Sequence, residues 1–255
     1  MKRFSIFIRS KSINIFAVMT IFVLLIASSS FAQTKKSLKK QLNNLEKKPL
    51  LDEILLKMDQ EYVKVDSLEM TFEQTKNLML MAQPIHSKGV LIFKRPDNLL
   101  WRFNNPDPTV MLVVGSKLTI HYPDLNQADI FEIEKYKDRV VKYLGLADSM
   151  MKLKRYYDIR VIEEGQTTYL LELVPKRRRI KQKISLLEIW LSRTSYLPVK
   201  IHYLEPNQDS TLVKIIETKV NADLDPKIFE YKLPADTKIN YPTKDKKSKF
   251  IKESR

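Results

Sequence analysis

The sequence has no cysteine. It can therefore form no disulfide bond and supplies no thiolate for nucleophilic catalysis or for a cysteine-based zinc site. A bacterial lipoprotein carries its acyl chains on an N-terminal cysteine, so we expect this chain not to be lipid-anchored. Its stability must come from an ordinary hydrophobic core.

Glycine and histidine are also scarce, with four glycines and three histidines. There is no glycine-rich phosphate loop and no Gly-x-Ser-x-Gly nucleophile motif. The three histidines, His86, His121 and His202, are far apart in sequence and do not have the spacing of metal ligands. We therefore expect no catalytic residues, no metal site, no cofactor and no enzymatic activity.

The first 32 residues have the pattern of a cleaved signal peptide. Four basic residues precede an apolar run over 13–27, and Ser30-Phe31-Ala32 fits a small-residue cleavage site. The alternative is an uncleaved membrane anchor, although the apolar run is shorter than the roughly 20 residues that span a bilayer. We expect export and a mature chain that begins at Gln33.

The net charge of +15 lies mainly at the two ends of the chain. The leader carries +4, residues 33–48 carry +5 and residues 242–255 carry +4, which leaves +2 for residues 49–241. This central part has no general basic face, so we expect no nucleic-acid binding. The predicted organisation is a flexible basic lead (33–48), one folded domain (49–241) and a disordered basic tail (242–255).

Hydrophobic periodicity predicts a mainly β fold with few helices. Apolar residues at helical spacing from Leu51 to Val65 predict an N-terminal helix, which could cover either a sheet or a ligand cavity. Between about Tyr136 and Lys154 the spacing predicts two short helices. Most of the remaining segments alternate like strands, which predicts a curved, partly closed antiparallel sheet with helices over its open side.

The segment from Gly89 to Tyr122 is the one around which this fold is organised. Period-two alternation places Leu91, Phe93 and Arg95 on one face of a strand. It places Leu99, Trp101 and Phe103 on one face of the next strand. A permanent cation would then lie beside an apolar wall; the alternative is that Arg95 is a surface residue at a turn.

The motif Gly-x-Leu-x-Phe-Lys-Arg-Pro at 89–96, followed by Trp101 and Pro106, resembles the periplasmic lipoprotein carrier family known as LolA. The resemblance continues through Val-Pro-Lys at 174–176 and the sequence DPKIFEYKLP at 225–234, and it covers roughly Leu50 to Asn240. It implies a half-open barrel of about ten or eleven strands. The N-terminal helix and the short middle helices would form a lid over an apolar cavity.

The resemblance also implies a function. The protein would be a soluble, monomeric periplasmic carrier that shields the acyl chains of lipoproteins between the inner and the outer membrane. An inner-membrane ABC-type complex would load it and an outer-membrane receptor would unload it. A carrier of other lipids, or an envelope-stress sensing module with the same fold, remains as an alternative.

The candidate site residues follow from the apolar faces and from the resemblance. The arginine of the Lys-Arg-Pro motif, here Arg95, would hydrogen-bond the lid helices when the cavity is empty. Several candidates are methionines, whose adaptable side chains suit flexible acyl chains, although ordinary core packing explains each one equally well. The predicted cavity-lining residues are Met70, Phe72, Leu91, Phe93, Leu99, Trp101, Phe103, Val140, Leu144, Met150 and Met151.

The basic run KRRRIKQK at 176–183 is predicted to connect two strands of a hairpin. Such a run is commonly a solvated loop. Alternatively, Arg177, Arg178 and Arg179 could dock an acidic partner or an anionic lipid surface.

Overall fold

The computed structural model describes residues 48–133 and 150–242. The fold is mainly β, and the sheet is open and antiparallel apart from one parallel pair. The strands are β1 (Ser67–Asn77), β2 (Ile85–Lys94), β3 (Asn98–Asn105), β4 (Thr109–Val114), β5 (Lys117–Tyr122), β6 (Gln127–Glu132), β7 (Tyr157–Glu164), β8 (Thr168–Pro175), β9 (Leu186–Ser192), β10 (Pro198–Leu204), β11 (Ser210–Val220) and β12 (Lys238–Asn240).

This architecture confirms the predicted fold class, with twelve strands within residues 48–133 and 150–242 instead of the expected ten or eleven. The strand that periodicity could not reveal is β12. Its three residues are all exposed, so it has no alternation of buried and exposed positions. It is defined by its parallel pairing with β6, from Lys238 opposite Gln127 to Asn240 opposite Asp129.

The chain divides into two compact units. Of the described residues, the first unit contains 48–64, 78–80 and 150–211, and the second contains 65–77, 81–133 and 212–242. The prediction of one carrier-like domain over 49–241 stays a prediction.

In the first unit, helix α1 (Lys48–Val63) is the predicted N-terminal helix. Leu51, Ile54, Leu55 and Met58 recur at three- and four-residue steps and are all buried. The helix ends two residues before Val65, which the sequence pattern had included. Pro49 lies in the first turn, where its missing N–H disrupts no helical hydrogen bond.

A 3₁₀ helix, Met150–Arg155, packs against α1 in the first unit. The backbone N–H of Met150 donates to the Asp59 carboxylate, and the Lys154 ammonium pairs with Asp52. Most of the predicted pair of middle helices lies outside the described residues. The described end of that region is 3₁₀ instead of α-helical.

Strands β7 to β10 form an antiparallel meander in the first unit. Alternate residues of neighbouring strands are buried on one face, for example Leu173, Leu187 and Tyr203 in one cross-strand row. The connection from β8 to β9 contains a single helical turn, α2 (Arg178–Lys181).

The second unit has the strand order β12-β6-β5-β4-β3-β2-β1-β11. Five consecutive residues of β4, Thr109 to Val113, are buried, which requires cover on both faces of the sheet. The outward face around Leu100 and Leu112 packs against the C-terminal segment, residues 224–231. The same chain end then supplies β12, which covers the edge of β6.

Candidate functional site

The predicted apolar residues of β1, β2 and β3 lie side by side on one face of the second unit. The sheet register pairs Met70 with Leu91 and Leu91 with Trp101, and it pairs Phe93 with Leu99. This apolar wall is buried throughout, and its residues share one face as the alternation predicted, whereas their role as a cavity lining stays a prediction. Its residues are Met70, Phe72, Leu91, Phe93, Leu99, Trp101 and Phe103.

Three aromatic rings form the centre of the apolar wall. Phe72 meets Trp101 and Phe103 edge to face, with ring centroids 6.1 Å and 5.3 Å apart, whereas Trp101 and Phe103 stack with centroids 5.7 Å apart. Such pairs add stabilisation beyond the area they bury and restrict the rings to one arrangement. The centre of the apolar wall is therefore a defined aromatic cluster.

Gly89 makes room for this cluster. Phe72 lies opposite Gly89 across the β1–β2 pair. A Cβ atom at Gly89 would lie 2.6 Å from Cζ of Phe72 and 2.2 Å from the carbonyl oxygen of Arg102. A side chain at this position would displace either the ring or the β3 backbone, which explains why the motif begins with glycine.

Arg95 follows the last residue of β2 and is half-buried. Its Nε donates a hydrogen bond to the carbonyl oxygen of Val65 at 2.5 Å, and its backbone N–H donates to the carbonyl of Asp66 at 2.9 Å. Val65 and Asp66 belong to the short link between the end of α1 and the start of β1. The guanidinium is thus held by the backbone that directly follows the helix, and its predicted role as a latch stays a prediction.

Lys94, the neighbour of Arg95, has a different environment. Its ammonium pairs with the Asp66 carboxylate at 2.7 Å, and both side chains are substantially exposed. Exposed pairs of this kind contribute little to stability. Lys94 therefore provides a matched control for substitutions of Arg95.

The remaining predicted cavity residues are not part of the apolar wall. Met150 is buried in the first unit beside the described end of the middle region, whereas Met151 is 36% exposed. Val140 and Leu144 lie outside the described residues. Among the other methionines, Met58 and Met111 are buried, but Met79 and Met81 are exposed.

The basic run 176–183 lies where it was predicted, between two paired strands. Ile180 is buried and anchors the turn, and Lys176 pairs with Asp158 at 3.0 Å. Arg177, Arg178 and Arg179 are all exposed. Their guanidinium groups are therefore presented to solvent, and their role in docking stays a prediction.

The contact between His121 and Tyr231 was not among the contacts that the sequence pattern predicted. Nδ1 of His121 lies 2.6 Å from the Tyr231 hydroxyl, which joins β5 to the C-terminal segment. Burial lowers the pKa of His121 and raises the pKa of Tyr231, because each loses hydration of its charged form. The sequence feature that could have indicated a covering segment is the unbroken apolar run of β4, because a strand buried on both faces needs a second covering element.

Metal-ligand clusters and membrane-spanning helices are absent from the part of the chain that the structure describes. Within residues 48–133 and 150–242, no three side chains of histidine, aspartate or glutamate gather as metal ligands would. No helix in those ranges is both long and apolar enough to cross a bilayer.

The described residues thus combine an open, mainly antiparallel sheet, a buried apolar wall and an N-terminal helix. The family model described as outer membrane lipoprotein carrier protein LolA matches residues 63–232. The chain belongs to this family, as the motif around Arg95 indicated.

Two relatives that are lipoprotein carriers agree with this assignment, and one solved structure has a similar fold. An outer-membrane lipoprotein carrier protein of Francisella philomiragia is 27% identical over 161 residues, which are 63% of this chain and 75% of that protein. One of Pseudomonas entomophila is 29% identical over 82 residues, 32% of this chain and 39% of that protein. An uncharacterized conserved protein from Thermus thermophilus has a similar fold, with a TM-score of 0.50 at 11% identity, over 75% of this chain and 99% of that one.

Proposed function

We propose that this protein is a soluble periplasmic carrier that binds the acyl chains of lipoproteins and moves them from the inner to the outer membrane. The observation that supports this most is the apolar wall with its aromatic centre, in a chain that belongs to the carrier family. The protein acts by binding and release, without catalysis.

Acyl chains need such a carrier because water opposes their transfer. Each buried methylene contributes about 0.8 kcal/mol, so a lipoprotein with several long chains does not leave a membrane unaided. The carrier must offset most of this cost and still release its cargo. The free energy of the cargo-bound state must therefore lie close to that of the empty state. This requires that the empty state is itself well packed.

Arg95 supplies part of this balance in the proposal. Its charge-assisted hydrogen bond to the Val65 carbonyl stabilises the empty state, because the bonded segment directly follows α1. When cargo enters, the bond is given up and the segment that follows α1 is released from Arg95. A contribution of about 1.5 to 3 kcal/mol biases the two states without locking either one.

The proposed partners are an inner-membrane ABC-type complex that loads the carrier and an outer-membrane receptor that unloads it. Both exchanges require encounters that orient the carrier. The exposed arginines at 177–179 offer a compact positive patch for such an encounter.

Mass spectrometry of the protein purified from the periplasm tests the proposed function. The expected result is that triacylated peptides co-purify with the carrier. The purified carrier itself is expected to begin at Gln33. Free phospholipid or glycolipid as the bound species would replace the proposal with a general lipid carrier. A stable protein partner without lipid would replace it with a regulatory module.

A further inference from the structure

The turn between β1 and β2 has an exposed apolar tip. It is formed by Met79, Leu80 and Met81, which are 70%, 99% and 50% exposed. Single exposed apolar residues are common, but three large ones in succession at the end of a hairpin are not. In the free protein this tip keeps its apolar surface in water.

The tip is held in a defined position. The backbone N–H of Met79 donates to the Asp209 carboxylate at 2.8 Å, and the other oxygen of this carboxylate accepts from the side-chain amide of Asn207 at 2.8 Å. The carboxylate is therefore satisfied, and its bond fixes the backbone at the start of the tip. The apolar side chains project from an anchored turn.

Charge favours a lipid surface as the partner of this tip. Residues 74–87 contain no aspartate or glutamate, and the Asp209 carboxylate beside the tip has both of its oxygens engaged by hydrogen bonds. Farther down the hairpin, Glu73 pairs with Lys88 at 2.7 Å. Lys88, and to a smaller extent Lys214, lower the pKa of the Glu73 carboxyl. In addition, the lysine-rich segments 33–48 and 242–255 carry +5 and +4. An apolar insertion combined with basic segments matches the two signals that bind proteins to anionic bilayers.

We propose that the tip Met79–Leu80–Met81 inserts into the surface of an anionic phospholipid bilayer. A protruding apolar point suits a fluid surface that closes around it, whereas a protein partner would need a matching groove. This inference rests on the proposed function in one respect, because it names the surface to which the carrier delivers or from which it collects. The docking itself requires no cargo.

The absence of cysteine allows a direct test, since any introduced thiol is unique in the chain. The exported protein, free of cargo, is prepared with Leu80→Cys and labelled with an environment-sensitive fluorophore. Ile216→Cys is the matched control, because Ile216 is also apolar and 61% exposed but lies within β11, away from the tip. Vesicles of phosphatidylethanolamine and phosphatidylglycerol serve as the probe.

We expect the label at position 80 to shift to the blue and brighten several-fold with these vesicles, and the label at position 216 to change little. Leu80→Ser should lower the vesicle-bound fraction of the otherwise native protein about tenfold in flotation, because it removes the most exposed apolar side chain. High salt or neutral phosphatidylcholine vesicles should weaken binding.

An unchanged label at position 80, or an equal response at both positions, overturns the docking proposal. Equal binding to neutral and anionic vesicles rejects the anionic surface. These outcomes are independent of the proposed function. A protein that binds acylated peptide but not vesicles contradicts the docking proposal alone. A protein that binds vesicles but not acylated peptide contradicts the carrier proposal alone.

Discussion

At the scale of single residues, Arg95 combines a permanent charge with a half-buried position at the end of β2. Its Nε–Val65 hydrogen bond is the contact on which the proposed latch depends. We expect Arg95→Leu to fold, because leucine retains an apolar stem, but to release acylated cargo several-fold more slowly. Transfer of acylated peptide from pre-loaded protein measures the rate.

Lys94→Leu is the control for this experiment. It removes the adjacent cation and its exposed pair with Asp66, but it leaves the bond to Val65 in place. We expect its release rate to match that of the unchanged protein. Equal rates for the Arg95 and Lys94 variants would show that Arg95 is not a latch.

Gly89 is a second residue whose identity follows from its surroundings. We expect Gly89→Ala to lower the free energy of unfolding by about 1 to 3 kcal/mol, because its Cβ would overlap the Arg102 carbonyl and the Phe72 ring. Urea denaturation measures the difference. Gly165→Ala is the matched control, since a Cβ there meets its nearest atom at 3.4 Å; similar losses in both variants would contradict the steric explanation.

At the scale of elements, the C-terminal segment is attached to β5 by His121 and Tyr231. The pKa of His121 is lowered from 6.5 in the folded protein, so near this pH the unfolded chain binds more protons. The stability that depends on a neutral, buried His121 is therefore present above about pH 6.5 and is lost as the pH falls below it. We expect the free energy of unfolding to decrease from pH 7.5 to 5.5 more steeply than in His121→Asn.

Tyr231→Phe serves as the control for this pH dependence. It removes the hydroxyl that bonds His121 but leaves the buried imidazole, and tyrosine itself does not titrate in this range. Urea unfolding at several pH values compares the three proteins. If the free energy of unfolding of His121→Asn falls as steeply with decreasing pH as that of the unchanged protein, His121 is not the source of the pH dependence.

Elements with regular periodicity could be predicted from the sequence, and those that depend on distant partners could not. The alternation in β2 and β3 placed Leu91, Phe93 and Trp101 on one face, and the spacing in α1 placed its buried stripe. The C-terminal segment has no such period, because its apolar residues pack irregularly across a face formed by strands more than 100 residues earlier. Likewise, nothing in Lys238–Asn240 alone indicates a strand.

At the scale of the whole molecule, the exposed arginines 177–179 lie on a short turn of the first unit. If they steer docking, replacing all three with serine should slow association with the partner several-fold at low salt and flatten its salt dependence, because long-range attraction is screened by ions. Binding of an apolar fluorophore should not change. Stopped-flow measurement of the association rate at several salt concentrations checks this. An association rate at low salt that the substitutions do not change would show that the basic run is only a solvated turn.

The order in which the residues are synthesised has a consequence for the proposed export. The outward face of β2, β3 and β4 is covered by residues 224–231, and the start of β1 is held by Asn221, whose side chain accepts from the backbone N–H of Asp66 at 2.7 Å. The second unit therefore cannot complete its core until residues 221–231 have been made. If the chain is exported as proposed, we expect the polypeptide to remain threadable through a translocation channel and to complete its folding on the far side of the membrane.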